Sequence, residues 1–186
     1  MIEVFDAVFA FVIAEEGQKL TNTPGDAGGL TKFGIDAKDN PGVDIAALTL
    51  DAAKAIYLKQ WGTSLASGLP WPICLVHFDA AVNCGESEAT KFLQRSVGAV
   101  ADGVFGPKSQ AALADKLAGM GPFHIGQGFN HWRRAYYHQI VVEHPTNAQF
   151  LPDWLQRVAD VNACLTVTPD AVAAEYPLTP APEAAA

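Results

Sequence analysis

Positive charge is scarce in this 186-residue chain: 12 Lys and Arg stand against 20 Asp and Glu, giving a net charge of -8. Those Lys and Arg are scattered and form no basic stripe, which argues against a nucleic-acid partner. Long-range electrostatic capture by an anionic polymer or membrane is disfavoured for the same reason. Membrane-length apolar runs are also missing. The run over 4–14 is interrupted by Asp6 and followed by Glu15 and Glu16, so no membrane span is expected. The N-terminus carries Glu3 and Asp6 where a secretory signal has positive charge. A cytoplasmic product that reaches its target by another route is therefore expected. Cysteine is limited to Cys74, Cys84 and Cys164, an odd count at spacings that do not suit zinc. Cys74 and Cys84 lie in apolar helical surroundings and read as buried thiols, with a disulfide formed after export as the alternative. His77, His124, His131, His138 and His144 show no metal-ligand spacing such as His-Glu-x-x-His. No metal and no cofactor are expected, and a Cys–His peptidase is a poor competitor. No internal repeat is convincing.

What the chain does have is apolar material, 49% of residues against 17% charged, enough for a globular domain with a proper core. Its length suits one domain, or one domain with two lobes. Periodicity and breakers predict an almost wholly helical organisation. Helices are expected over 2–16, 49–61 (capped by Thr49), 73–84, 86–97, 108–118, 123–143 and 148–164. A short β-hairpin near residues 28–36 fits inside the loop 17–49, and Gly119 to Pro122 breaks the chain between two helices. From 165 onward, Ala together with Pro169, Pro177, Pro180 and Pro182 reads as an extended or mobile tail.

The first helix and the loop after it hold the most suggestive chemistry. Val4, Phe5, Val8, Phe9, Phe11, Val12 and Ile13 recur at helical steps, predicting a buried amphipathic helix. Glu16 continues the stripe of Phe5, Phe9 and Val12, whereas Glu15 continues that of Val4, Val8 and Phe11. Periodicity leaves both glutamates open. Gly17 is a natural helix stop. A carboxyl in the last turn meets the negative end of the helix dipole, and burial penalises its charge further. Both effects favour a protonated acid, the form a glycosidase needs for its general acid. The plainer alternative is a pair of solvated glutamates at a fraying helix end. Asp26 and Thr31 follow, able to orient a water molecule. An Asp before Ala-Gly-Gly is equally an ordinary turn residue, and a Thr entering a short strand is common.

The order Glu16-Gly17, Asn22-Thr23-Pro24, Asp26, Gly28-Gly29, Thr31, Gly34-Ile35 resembles the glycoside hydrolase 108 lysozymes, N-acetylmuramidases of phage endolysins and bacterial wall hydrolases. The resemblance extends through Leu50-Asp51-Ala52-Ala53, Ile56-Tyr57, Trp61 and the run Phe78-Asp79-Ala80-Ala81-Val82-Asn83-Cys84-Gly85. Leu93-Gln94, Gly98, Asp102-Gly103, Phe105-Gly106-Pro107 and Ala111-Ala112-Leu113 are similar to the family's predicted peptidoglycan-binding region. Arg134, Tyr136-Tyr137, Phe150-Leu151, Trp154 and Arg157-Val158 resemble its closing helices, so the likeness spans roughly 1–162. Gln18 and Lys19 depart from the family's Gly and aromatic, and Ala27 replaces its Pro.

The resemblance implies an all-α, lysozyme-like fold and selects Glu16 over Glu15 as the catalytic acid. It implies cleavage of the β-1,4 bond between N-acetylmuramic acid and N-acetylglucosamine, with Asp26 or Thr31 positioning the attacking water. Asn83 is a candidate for binding an N-acetyl or hydroxyl group, with a buried structural Asn as the alternative. Tyr57, Trp61 and Tyr137, with Trp71, Trp132 and Tyr136, are candidates for stacking on sugars, although most aromatics in a helical domain are core. The expected organisation is a catalytic lobe at 1–72, a helical lobe at 73–164 packed with it as one unit, and the tail. Peptidoglycan is the expected partner and a monomer the expected state. The implied setting is a phage endolysin held in the host bacterial cytoplasm until released onto the wall. A noncatalytic peptidoglycan-binding module, a bacterial wall-remodelling or secretion-associated protein, and a wall amidase or peptidase are the competing readings.

Overall fold

The computed structural model describes residues 3–22 and 29–178. The chain forms two compact units, one of residues 1–62 with 170–186 and the other of residues 63–169.

In the first unit, helix α1 (Val4–Glu16) carries the longest apolar run of the chain. Ala7, Val8, Phe9, Ala10, Phe11, Val12 and Ile13 are each no more than 2% exposed. The expected amphipathic stripe is therefore wrong in one respect: over residues 7–13 the helix is enclosed all round, because seven consecutive apolar residues leave that stretch no polar face. Phe9 packs on Tyr57 with ring centroids 5.6 Å apart, and Phe5 packs on Trp61 at 5.8 Å. Gly17 closes the helix by donating its N–H to Ile13 O at 2.9 Å. Helix α2 (Leu50–Thr63) starts as expected at Thr49, whose Oγ1 accepts from Ala52 N at 3.2 Å.

Between these helices lies the expected hairpin, β1 (Thr31–Lys32) and β2 (Ile35–Asp36), antiparallel with Thr31 opposite Asp36 and Lys32 opposite Ile35. Its two-residue turn, Phe33-Gly34, has φ of 56° and 72°. Positive φ at both central residues is the turn that matches strand twist. Gly34 adopts it freely, but Phe33 is strained by about 1–3 kcal/mol. That residue is held by burial, at 4% exposed, and by Tyr57, whose hydroxyl donates to Phe33 O at 3.0 Å.

Over residues 164–178 the chain departs from the expected extended tail, whose Pro180 and Pro182 lie outside the described residues. A short 3-10 turn (Cys164–Thr166) leads to helix α7 (Pro169–Glu175), whose Val172 is fully buried. Tyr176 then meets Phe11 edge-on at 5.2 Å. Proline at the first helical position and small apolar residues behind it start a helix here instead of preventing one.

The second unit is built on α3 (Ile73–Cys84), α4 (Glu86–Val97), α5 (Pro107–Glu143) and α6 (Leu151–Ala163). Helix α5 is broken where the sequence places a breaker: Gly121 has φ 76° and ψ 169°, followed by Pro122. Only glycine takes that conformation without strain, and the proline after it cannot supply an N–H to the preceding turn. Asp79 of α3 ties three helices together. Arg133 of α5 donates to its Oδ2 at 2.5 Å, and Nε of Arg157 of α6 donates to its Oδ1 at 2.8 Å. The Asp102-Gly103 turn before α5 hangs on buried Gln94, which donates to Asp102 Oδ1 at 2.7 Å and accepts from Gly103 N at 2.9 Å. All three cysteines carry free thiols.

Candidate active site

Glu16 ends α1 because Gly17 ends it, which leaves the residue half-buried rather than enclosed like residues 7–13. What it faces within its own unit is the hairpin turn. A Cβ built on Gly34 comes within 2.7 Å of Glu16 Cγ, 2.8 Å of Glu16 Oε2 and 2.8 Å of the Tyr57 hydroxyl. Three elements distant in sequence thus meet at one glycine: the end of α1, the turn of the hairpin and the middle of α2. The backbone of Gly34 approaches the carboxyl as closely as it does because no side chain stands between them.

Thr31 enters β1 half-buried, bridged through its backbone to Thr21 with N···O distances of 2.8 and 2.9 Å. Its hydroxyl donates to Gly29 O at 3.2 Å, which leaves the oxygen's lone pairs as acceptors. Asp36 stands opposite Thr31, with its Oδ1 taken by Asp39 N at 2.7 Å. Asp26 lies outside the described residues.

The aromatic candidates divide. Trp61 is half-buried beside Phe5. Tyr57 and Tyr137, at 2% and 1% exposed, have no ring face to offer a sugar, and the stacking expected of them is corrected to packing and positioning. Tyr57 belongs under the hairpin. Tyr137 stacks on Trp154 at 5.1 Å and accepts from Arg133 Nε at 2.8 Å. Trp132 is 36% exposed, with the Arg95 guanidinium 5.5 Å from its ring centre. Asn83 is half-buried at the end of α3, and its side-chain oxygen accepts from the Tyr137 hydroxyl and, at 3.3 Å, from the Cys84 thiol.

Sequence reasoning missed the buried charge cluster beneath Asn83. Burial alone favours a neutral acid at Asp79, but the guanidiniums of Arg157 and Arg133 outweigh it and hold the carboxyl below the usual range. Burial pushes the Tyr137 hydroxyl and the Cys84 thiol upward, so both keep their protons at neutral pH. A signal was present. Phe129, Arg133 and Tyr137 fall on one face of α5 at four-residue steps, placing a cation in an apolar stripe.

Residues 9–85 match the family model described as Glycosyl hydrolase 108, and residues 88–159 match the Predicted Peptidoglycan domain. Glycosyl hydrolase 108 is a family of lysozyme-type glycoside hydrolases, the N-acetylmuramidases, and the two matched segments together support a peptidoglycan hydrolase. Among solved structures the hydrolase is similar to SagA of Brucella abortus, at 28% identity and a TM-score of 0.69, over 86% of this chain and 91% of that one. A comparison with curated proteins gave no match. The first family segment holds Glu16, the hairpin, Tyr57 and Asn83; the second holds Gln94, Arg133, Tyr137 and Arg157. Among the described residues no helix is long and apolar enough to cross a membrane.

Proposed function

We propose that the hydrolase cleaves the β-1,4 bond between N-acetylmuramic acid and N-acetylglucosamine, with Glu16 protonating the glycosidic oxygen. The observation that carries this reading is the carboxyl of Glu16 held at the bare backbone of Gly34, with no Cβ between them. Such a site sets the acid against the hairpin turn, and a positioned acid contributes about 10²–10⁴-fold in rate. As the leaving oxygen takes the proton, positive charge develops on the sugar ring, and water completes hydrolysis. Thr31, with acceptor capacity left on its hydroxyl, or Asp26 orients that water. Residues 1–72 act as the catalytic lobe and the helical region as the wall-binding lobe. The protein works as a monomer without metal or cofactor.

The test is mass spectrometry of peptidoglycan digested by wild-type and Glu16→Gln protein. Glutamine keeps size and hydrogen bonding but supplies no acid. Products ending in reducing N-acetylmuramic acid, lost in the variant, support the reading. Near-normal release by Glu16→Gln refutes it, and reducing N-acetylglucosamine ends point to a glucosaminidase instead.

As biological setting we propose a phage endolysin, kept in the host cytoplasm and acting on the wall after release. A bacterial wall-remodelling role is the second reading, favoured by the likeness to the Brucella abortus protein. Cytoplasmic expression that lyses cells only when the inner membrane is permeabilised fits the first. Export and wall turnover without a permeabilising partner fits the second.

A further inference from the structure

At the end of α3 a chain of hydrogen bonds runs from Arg133 through Tyr137 to Asn83. Arg133 is fully buried and can only donate; its Nε gives a proton to the Tyr137 oxygen at 2.8 Å. Tyr137 has a single proton of its own, and its other near neighbours are Asn83 Oδ1 and Cys84 Sγ, the latter at 3.3 Å. The Cys84 thiol lies 3.3 Å from the same Asn83 oxygen and donates to it. In this arrangement Asn83 turns its oxygen inward and accepts from both. Its NH2 group is left pointing the other way and donates to none of the described residues. Asp79 anchors the whole series by holding Arg133 at 2.5 Å.

We infer that the amide NH2 of Asn83 is a binding donor for an acetamido or hydroxyl oxygen of the glycan, and that Tyr137 is the positioning residue that aims it. The inference rests on peptidoglycan being the substrate and adds a recognition element outside the Glu16 region. An amide free to flip would present oxygen and NH2 about equally, so half its population would face the ligand with the wrong group. A buried donor of fixed polarity removes that choice. The device also explains why a fully buried arginine and tyrosine lie beneath a half-exposed asparagine: packing alone would be served by apolar residues.

The test uses Glu16→Gln protein as parent, so that glycan remains whole, and titrates it calorimetrically with peptide-free peptidoglycan fragments. Asn83→Asp keeps the inward oxygen for Tyr137 and Cys84 but loses the NH2. It is expected to bind about fivefold or more weakly, with a thermal midpoint close to the parent's. Asn83→Ala is expected to weaken binding equally, which separates a lost donor from repulsion by the new carboxylate. Tyr137→Phe is expected to weaken binding too, but to add nothing in the Asn83→Ala background. The inference is overturned by parental affinity in Asn83→Asp, by a loss confined to that variant, by Tyr137→Phe and Asn83→Ala effects that multiply, or by a parent that does not bind the fragments. Hydrolysis by the wild-type protein is read separately, so failure of the Glu16 assignment and failure of this one are distinguishable.

Discussion

Replacing Gly34 by alanine perturbs Glu16 without touching it, and the structure sets the size of the effect. The backbone at this position has φ 72°, which costs an alanine about 1–2 kcal/mol. The added Cβ lies 2.7 Å from Glu16 Cγ and 2.8 Å from the Tyr57 hydroxyl, whereas ordinary contact begins at 3.4 Å, so a shift of about 0.7 Å is required. Tyr57 is buried and bonded to Phe33 O, so it yields least. Glu16 ends in a flexible carboxyl and moves most. Displacement of a catalytic group by close to 1 Å costs about 100-fold in rate. The stability loss, about 1–2 kcal/mol, lowers the thermal midpoint by about 2–8 °C, leaving the protein folded at assay temperature. The expected result is therefore a folded variant whose release of reducing ends from purified peptidoglycan falls about 100-fold. Circular dichroism melting and reducing-end release on one preparation provide the check. Near-wild-type release refutes the geometry of the acid, and a variant too unfolded to melt cooperatively refutes the proposed division of strain.

Asp79→Asn leaves two buried guanidiniums without their carboxylate and is expected to cost about 3–5 kcal/mol in urea unfolding. Burial holds His77 down to about 4 from 6.5, with Glu86 pulling weakly the other way; Glu86 Oε1 is 3.9 Å and Thr90 Oγ1 3.5 Å from its Nε2. Because the unfolded chain takes up this proton first, stability is complete above pH 6.5 and falls as pH drops toward about 4, by at most about 3 kcal/mol. Urea unfolding at pH 7 and pH 5 measures the fall, which should flatten in His77→Leu. Wall lysis should change little between low and physiological salt, since the net charge of -8 gives no long-range attraction for salt to screen. A steep loss in turbidity assays contradicts that account.

Much of this protein follows from local pattern alone. Helix limits at Thr49, Gly17 and Gly121, and the Phe33-Gly34 hairpin, are set by capping, left-handed glycine and periodicity, which act over a few residues. The family motif likewise singles out Glu16 from Glu15, a choice that periodicity leaves open. Tertiary structure decides what depends on partners far apart in sequence. Whether the aromatic at 57 meets a sugar or a carbonyl is settled by the turn at Phe33, 24 residues away. Whether Tyr137 is a platform or a support is settled by Arg133, Asn83 and the α6 aromatic Trp154. The same holds for the end of the chain: its composition suggests extension, but Val172 and Tyr176 are packed and helical structure follows. Local propensities are worth tenths of a kcal/mol per residue, whereas burying one large apolar side chain is worth about 1.5–3 kcal/mol. Sequence by itself thus determines where elements begin and end and which of the two glutamates is the candidate acid. Packing alone determines which side chains remain free to face a substrate.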